Sequence, residues 1–304
     1  MKKQLAFFVC LLFCASTITA LDDAINQSNQ ALCYAAKEGN LKEVKSLLSK
    51  GANVNAREAA EGLTPLILAI QFAHLPVVKA LIREGADVNL KEDLNQATPL
   101  MWAVRKGERK PGRFTAPIEE KYEIAELLIA SAADINAKNR WNGTALQWAA
   151  DSKNLRMVKR LIQKGADVHS ADDAGLTPLM VAANYEGPEF LEMVRAMIKA
   201  GAKVNQQDEM GMTPLMKASM NHFKTDTVRF LISNGADIHA KTKEGYSALM
   251  LACKSARTEI VKFLIQAGAD LNAKTGDGRS VMKVAKEAGY VDVIEILAKA
   301  GAKE

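Results

Sequence analysis

Residues 161–183 read Leu161-Ile162-Gln163-Lys164-Gly165-Ala166-Asp167-Val168-His169-Ser170-Ala171-Asp172-Asp173-Ala174-Gly175-Leu176-Thr177-Pro178-Leu179-Met180-Val181-Ala182-Ala183. The stretch ends one helix and begins another. Gly165 follows the apolar Leu161-Ile162 pair, where a glycine adopts the left-handed conformation that stops a helix. Asp172 and Asp173 open a tight turn, since a short carboxylate bonds backbone N–H groups one or two residues on. Thr177 can cap the orphan N–H groups of the next helix, and Pro178 sits at its first position, where no donor is needed.

Variants of this stretch recur along nearly the whole chain. A Gly-Ala pair stands at Gly51, Gly85, Gly165, Gly201, Gly235, Gly268 and Gly301, and Ala132-Ala133 fills the slot once. The successive spacings are 34, 47, 33, 36, 34, 33 and 33 residues. Thr64-Pro65-Leu66, Thr98-Pro99-Leu100, Thr177-Pro178-Leu179 and Thr213-Pro214-Leu215 open helices, with Thr144-Ala145-Leu146 and Ser247-Ala248-Leu249 as weaker copies. Each second helix carries a Val/Ile-x-x-Leu-Ile pattern, as in Val158–Ile162, which stacks one repeat on the next. The eight prolines and nineteen glycines keep to turns, stops and helix starts. Scattered into helix interiors they would cost about 3 and about 1 kcal/mol each.

A period near 33 residues with helix–turn–helix–loop units and Thr-Pro-Leu openings resembles the ankyrin-repeat family over roughly residues 24–304. The resemblance implies an all-α solenoid of about eight helix–turn–helix units joined by β-hairpin-like loops. The repeats are 24–57, 58–91, 92–138, 139–171, 172–207, 208–241, 242–274 and 275–304. Lys283 and Lys286 replace apolar positions in the last, as suits a terminal cap. The composition agrees: 48% of residues are hydrophobic but only 6% aromatic, as thin modules packed with Ala, Leu, Ile and Val require.

The resemblance further implies a non-catalytic protein-binding adaptor that meets its partner at hairpin tips and the concave helical face. Those slots hold Leu63, Leu94, Arg140, Trp141, Leu176, Met210, Met212 and Tyr246 at tips, and Phe72, Arg105, Lys106, Tyr185 and Met220 on the concave face. So many apolar and aromatic residues on normally polar tips point to an interaction strip, with Trp141 and Tyr246 as its anchors. The alternative is that each folds back over its own repeat. Trp102 and Trp148, one slot deeper, are expected in semi-buried packing. The third repeat carries an insertion of about thirteen residues, Arg105–Pro117. Arg105, Lys106, Arg109, Lys110 and Arg113, with Phe114, make it either a docking loop for an acidic partner or lipid headgroups, or a tolerated surface insertion. The family usually keeps His after Thr-Pro-Leu. Here Ile67, Met101, Gln147, Met180, Met216 and Met250 stand there, so packing is expected to replace the loop-tying hydrogen bonds.

No catalytic, cofactor or metal motif emerges. His169 and His239 occupy a slot that Asn fills in other repeats; His74 and His222 fall in inter-helix turns. No His pair has metal-ligand spacing. Cys33 and Cys253 lie six repeats apart and read as small buried hydrophobes. A net charge of +5 without basic clustering is a poor match to nucleic acid. A monomer is expected.

The first twenty residues have the form of a bacterial secretory signal: Lys2-Lys3, the apolar run Leu5–Phe13, then small residues to Ala20. The expectation is export to the periplasm after cleavage at Ala20, with no membrane span left. The alternatives are secretion as an effector meeting a host protein, or a lipid-anchored envelope tether through Cys14.

Overall fold

The computed structural model describes residues 23–105, 118–221 and 223–303. The leader and the basic loop at 106–117 therefore lie outside the described residues. The structure divides into two compact halves, Met1–Arg140 and Trp141–Glu304. The first half contains α1 (23–37), α2 Leu41–Ser49, α3 Pro65–Gln71, α4 Leu75–Arg83, α5 Pro99–Val104 and α6 Ile118–Ala130. The second contains α7 Ala145–Asp151, α8 Leu155–Gln163, α9 Pro178–Ala183, α10 Pro188–Lys199, α11 Pro214–Asn221, α12 Asp226–Ser233, α13 Ala248–Lys254, α14 Thr258–Gln266, α15 Val281–Ala288 and α16 Val291–Lys299. No strand occurs among the described residues; isolated antiparallel bridges close hairpins, as Lys241 with Ser247 and Lys274 with Ser280.

The helix starts follow from their caps. Thr64, Thr98, Thr144, Thr177, Thr213, Ser247 and Ser280 each accept a hydrogen bond from the N–H three residues on, at 3.1–3.4 Å. The helix stops follow from glycines at φ +85° to +92° in all seven Gly-Ala pairs. A Cβ there would meet nothing within 4 Å, so glycine is selected for its backbone and not for room. Ala132, which fills the slot once, is held at φ +63° despite its side chain.

Within each half, from α3 onward, odd-numbered helices pack on their even-numbered partner and on the next odd helix, and even helices stack as α2 on α4, α4 on α6, α8 on α10, α10 on α12 and α14 on α16. The short first helices are covered from both sides, so nearly every residue in α3, α5, α9 and α13 is buried. The second helices bury one stripe only, such as Met157, Val158 and Leu161 of α8. Ile67, Met101, Met180, Met216 and Met250 are all at most 1% exposed, so packing has replaced the family histidine at those five positions. Each such side chain contributes about 1.5–3 kcal/mol of burial. Gln147 is different. Its Oε1 accepts from Thr144 N, and its Nε2 donates to Leu176 O at 2.6 Å, so this repeat keeps a tie between loops.

Candidate interaction surface

The hairpins are ordered by position before the capping Thr or Ser. The residue five places before the cap donates its N–H to the carbonyl of the residue immediately before it, as in Asp172→Leu176, Asp208→Met212, Thr242→Tyr246 and Thr275→Arg279, at 2.9–3.1 Å. The residue three places before the cap is thereby the outermost. In the C-terminal half that position holds Trp141, Ala174, Met210, Glu244 and Asp277, all exposed. Trp141 is 51% and Met210 66% accessible. Neighbouring tips are tied by backbone hydrogen bonds: Asp173 N to Trp141 O, Glu209 N to Ala174 O, Lys243 N to Met210 O and Gly276 N to Glu244 O, at 2.8–3.0 Å. The tips therefore form one continuous edge. In the N-terminal half, Leu94 is exposed on its tip and Arg140 is anchored, its N–H bonding Asn95 O and its guanidinium bonding Leu94 O.

The residue immediately before the cap lies on the returning arm and turns inward. This corrects the expectation for three tip residues. Leu63, Met212 and Tyr246 are 5–7% exposed and belong to the core, while Leu176 is half-buried. Tyr246, expected as a free anchor, is enclosed by the next hairpin. Its hydroxyl accepts from Arg279 Nη2 at 2.7 Å, and Lys254 Nζ lies 5.3 Å from its ring centroid. Arg279 also bonds Asp277 and Glu287, at 2.9 and 3.0 Å. The Arg279 hydrogen bond, with that of Thr275, holds the Asp277 carboxyl down at about 2.

The concave ends of the first helices differ between the halves. In the C-terminal half they are zipped from repeat to repeat. Tyr185 Oη donates to Asp151 Oδ1 at 2.8 Å, Asn221 Nδ2 to Asn184 Oδ1 at 2.7 Å, and Arg257 Nε to Met220 O at 2.9 Å. The Asp151 bond, helped by burial, pushes the Tyr185 phenol up. Glu186 accepts from the N–H groups of Phe223 and Lys224, and the Arg257 guanidinium covers the Phe223 ring at 3.9 Å. Tyr185 and Met220 were expected as concave contacts; both are engaged in this zipper, although Tyr185 keeps 39% exposure.

In the N-terminal half a tie of the same kind joins α3 to α1, from His74 Nε2 to the Lys37 carbonyl at 3.0 Å. A groove of about 460 Å³ lies between α1, the hairpin at 58–63 and the end of α3. Its floor includes Cys33, Leu63 and Leu68, which belong to a buried cluster against which the half-buried Trp102 packs. Tyr34, Phe72, Gln71, Lys37, Glu58 and Glu61 line it above. The sequence reading had singled out Phe72 alone of these. Trp148, like Trp102, is half-buried.

The remaining expectations resolve individually. Arg105 is half-buried and its carbonyl accepts from Lys121 Nζ at 3.1 Å; burial, with the Arg105 charge, pushes that ammonium down to about 8. Lys106, Arg109, Lys110, Arg113 and Phe114 lie outside the described residues. Cys33 and Cys253 are buried free thiols, each pushed up to about 12, by burial in both cases. Asn55, Asn89 and Asn205 accept the N–H of Asp87, Asp134 and Asp237 in the following repeat, at 2.7–2.9 Å. His169 and His239, in the same slot, are exposed, and their own N–H groups bond Asp167 and Asp237 within the loop.

The family model for ankyrin repeats matches six overlapping segments, residues 4–92, 32–112, 114–208, 165–242, 189–275 and 215–304. The chain belongs to the ankyrin-repeat family. It is similar to an ankyrin repeat protein of fowlpox virus, 39% identical over 72 residues, which are 22% of this chain and 38% of the relative. It is also similar to an ankyrin repeat protein of Rickettsia bellii, 35% identical over 71 residues, 23% of this chain and 39% of the relative. Human ankyrin repeat and SOCS box protein 6 is 26% identical over 133 residues, 43% of this chain and 24% of that protein. In each case the match spans less than two fifths of the relative's own length. Ankyrin repeats are generally protein-interaction modules, and this chain carries the module throughout. No helix among the described residues is long and apolar enough to cross a membrane.

Proposed function

We propose that this chain is an exported bacterial protein-binding scaffold without catalytic activity, acting in the periplasm as a monomer. It would recognise one folded partner through the tip edge of its C-terminal half. The observation that carries the reading is the pair of large apolar side chains Trp141 and Met210, exposed on tips that backbone hydrogen bonds fix in place. An exposed Trp gives an interface anchor at low ordering cost, and a flexible Met beside it adapts to the partner's surface. The sequence pattern of residues 1–20 supports export.

A photo-crosslinking amino acid at position 141 or 210 tests the site in native envelope extract. One shared adduct from both positions is expected, with none from position 246, which is buried. Adducts of equal yield from all three positions, or none from 141 and 210, would refute the tip edge. The mass of the mature N-terminus tests export: a start at Leu21 supports a soluble periplasmic protein, a lipid on Cys14 assigns an envelope tether, and an intact Met1 defeats export.

A further inference from the structure

The groove of the N-terminal half suits a ligand chemistry different from that of the tip edge. Its floor, Cys33, Leu63 and Leu68, is uncharged and apolar. Two aromatic residues line it: Tyr34 on α1, 65% exposed, and Phe72 at the end of α3. Phe72 is pre-positioned. The Phe72 ring stacks on His74 with centroids 6.2 Å apart, and His74 Nε2 bonds the Lys37 carbonyl at 3.0 Å, tying the end of α3 to α1. The His74 ring also lies where a Cβ on Gly39 would stand, 2.6 Å from its Nδ1, so only glycine at position 39 permits the tie.

Charge decides what this groove is for. Two carboxylates line the groove, Glu58 and Glu61, against one ammonium, Lys37. Burial acts to raise the Glu58 carboxyl, but the N–H groups of Ala60, Glu61, Leu63 and Gly62 outweigh it and hold the group below its ordinary value, hence ionised. The side chains of Tyr34, Lys37, Glu61 and Gln71 make no hydrogen bond or ion pair among the described residues, in contrast to the zipped ends of the C-terminal half. The Glu58 oxygens are taken up by their own hairpin, so the exposed Tyr34 ring beside the unengaged Glu61 carboxylate is what attracts a cation. The unengaged Gln71 amide adds a donor and an acceptor for the backbone of an extended chain.

We propose that this groove seats the cationic head of an arginine or lysine side chain presented by an extended segment of the partner protein. The inference rests on the protein-binding reading above but uses a separate surface, so the two stand or fall by different measurements.

The test titrates full-length, methyl- and amide-labelled protein with the peptide acetyl-Gly-Ser-Arg-Ser-Gly-amide and follows the spectra. A citrulline peptide, neutral but of the same shape, is the control. The arginine peptide is expected to shift the Leu63 and Leu68 methyls and the Gln71 amide saturably, with citrulline about fivefold weaker. Tyr34→Leu and Glu61→Gln, both at exposed positions, should each weaken binding about two- to fivefold while leaving the remaining spectrum in place. Equal shifts from the two peptides, or shifts confined to other regions, would overturn the proposal. Shifts of the same methyls on raising the protein concentration without peptide would overturn it too, by assigning the groove to a second copy of the chain.

Discussion

The two halves are built from the same repeat but, among the described residues, bond their concave helix ends to different extents. In the C-terminal half, Tyr185–Asp151, Asn221–Asn184 and Arg257–Met220 join each first helix to the next. The second helices add a matching series on their own face, with Arg195 over Phe230 at 4.3 Å and Arg229 over Phe263 at 4.1 Å. In the N-terminal half His74 Nε2 bonds the Lys37 carbonyl at 3.0 Å, tying the end of α3 to α1, and beside that tie a groove stays open between α1, α3 and the hairpin at 58–63. The scaffold alone therefore does not make a concave face available.

The sharpest way to test this contrast is at the hairpin glycines, because the two halves pack different atoms against them. A Cβ on Gly245, at φ +83°, would lie 2.4 Å from the backbone N of Gly276, whereas one on Gly62, at φ +67°, would meet the Asp93 side chain. Backbone tied into a hairpin ladder cannot withdraw, but an exposed aspartate can, at the loss of its surface pair with Arg57. Gly245→Ala should therefore cost about 3 kcal/mol or more, the left-handed penalty plus the overlap, and Gly62→Ala about 1–2 kcal/mol. Urea denaturation of the two variants measures the difference; equal costs would show that the tip ladder yields as easily as a side chain.

The next effect separates charge from packing inside the C-terminal half. Asp208 accepts from Met210 N and Met212 N and pairs with Lys217 at 2.9 Å, with side-chain exposures of 3% and 16%. Asp208→Ala strips the hairpin of its acceptor and leaves a nearly buried ammonium, at about 3 kcal/mol. Lys217→Leu leaves the Asp208 carboxylate without its cation but still held by Met210 N and Met212 N, and should cost less, about 1–2 kcal/mol. Its slot is Leu68, Trp102, Trp148, Val181, Leu251 or Val284 in other repeats, and the equivalent Asp172 serves its own hairpin through the N–H groups of Ala174 and Leu176. A large loss in Lys217→Leu would mean that the ion pair specifies the sixth repeat.

These contrasts mark how far the sequence carries. Caps, stops and repeat boundaries were legible because they depend on a few adjacent residues: Thr before Pro, Gly after a Leu-Ile pair. The burial of Met101, Met180, Met216 and Met250 was legible for the same reason, as a repeated apolar slot. The orientation of tip residues was not. Trp141 and Tyr246 look equivalent as aromatic residues on hairpins, yet they stand three places and one place before their caps, and only the second falls under the next hairpin's arginine. The zipper was hidden further still. Its partners lie 34 and 37 residues apart across turns of unequal length, so no fixed offset exposes them. The groove is a property of what is not bonded, which composition cannot express.

A smaller expected effect addresses the zipper itself. Tyr185→Phe removes the bond to Asp151 and should cost about 0.5 kcal/mol at this half-exposed site. Tyr34→Phe removes a hydroxyl that bonds no described residue and should be neutral within about 0.3 kcal/mol. Thermal or urea unfolding of both, side by side, checks whether the concave ends of the two halves differ in energy as they do in geometry.

The smallest effect is in acid, where each half has one hairpin carboxylate held below its ordinary value. In the N-terminal half Glu58 is lowered from 4.5, and in the C-terminal half Asp277 from 3.8 to about 2. A depressed folded-state value means that ionisation favours the folded form. The contribution of each is complete above its ordinary value and disappears as pH falls through the folded one. For Asp277 the loss runs from about 4 down to about 2, and it should loosen the Arg279 contacts that enclose Tyr246. Hydrogen-exchange protection at Thr275 N, which bonds Arg279 O, should therefore decline across that window, and the decline should be absent in Asp277→Asn. Leu63 N, held by Glu58, should decline in both proteins, since its carboxylate is untouched. A decline at Thr275 N that persists in Asp277→Asn would place the acid sensitivity elsewhere and leave Tyr246 enclosed by packing alone.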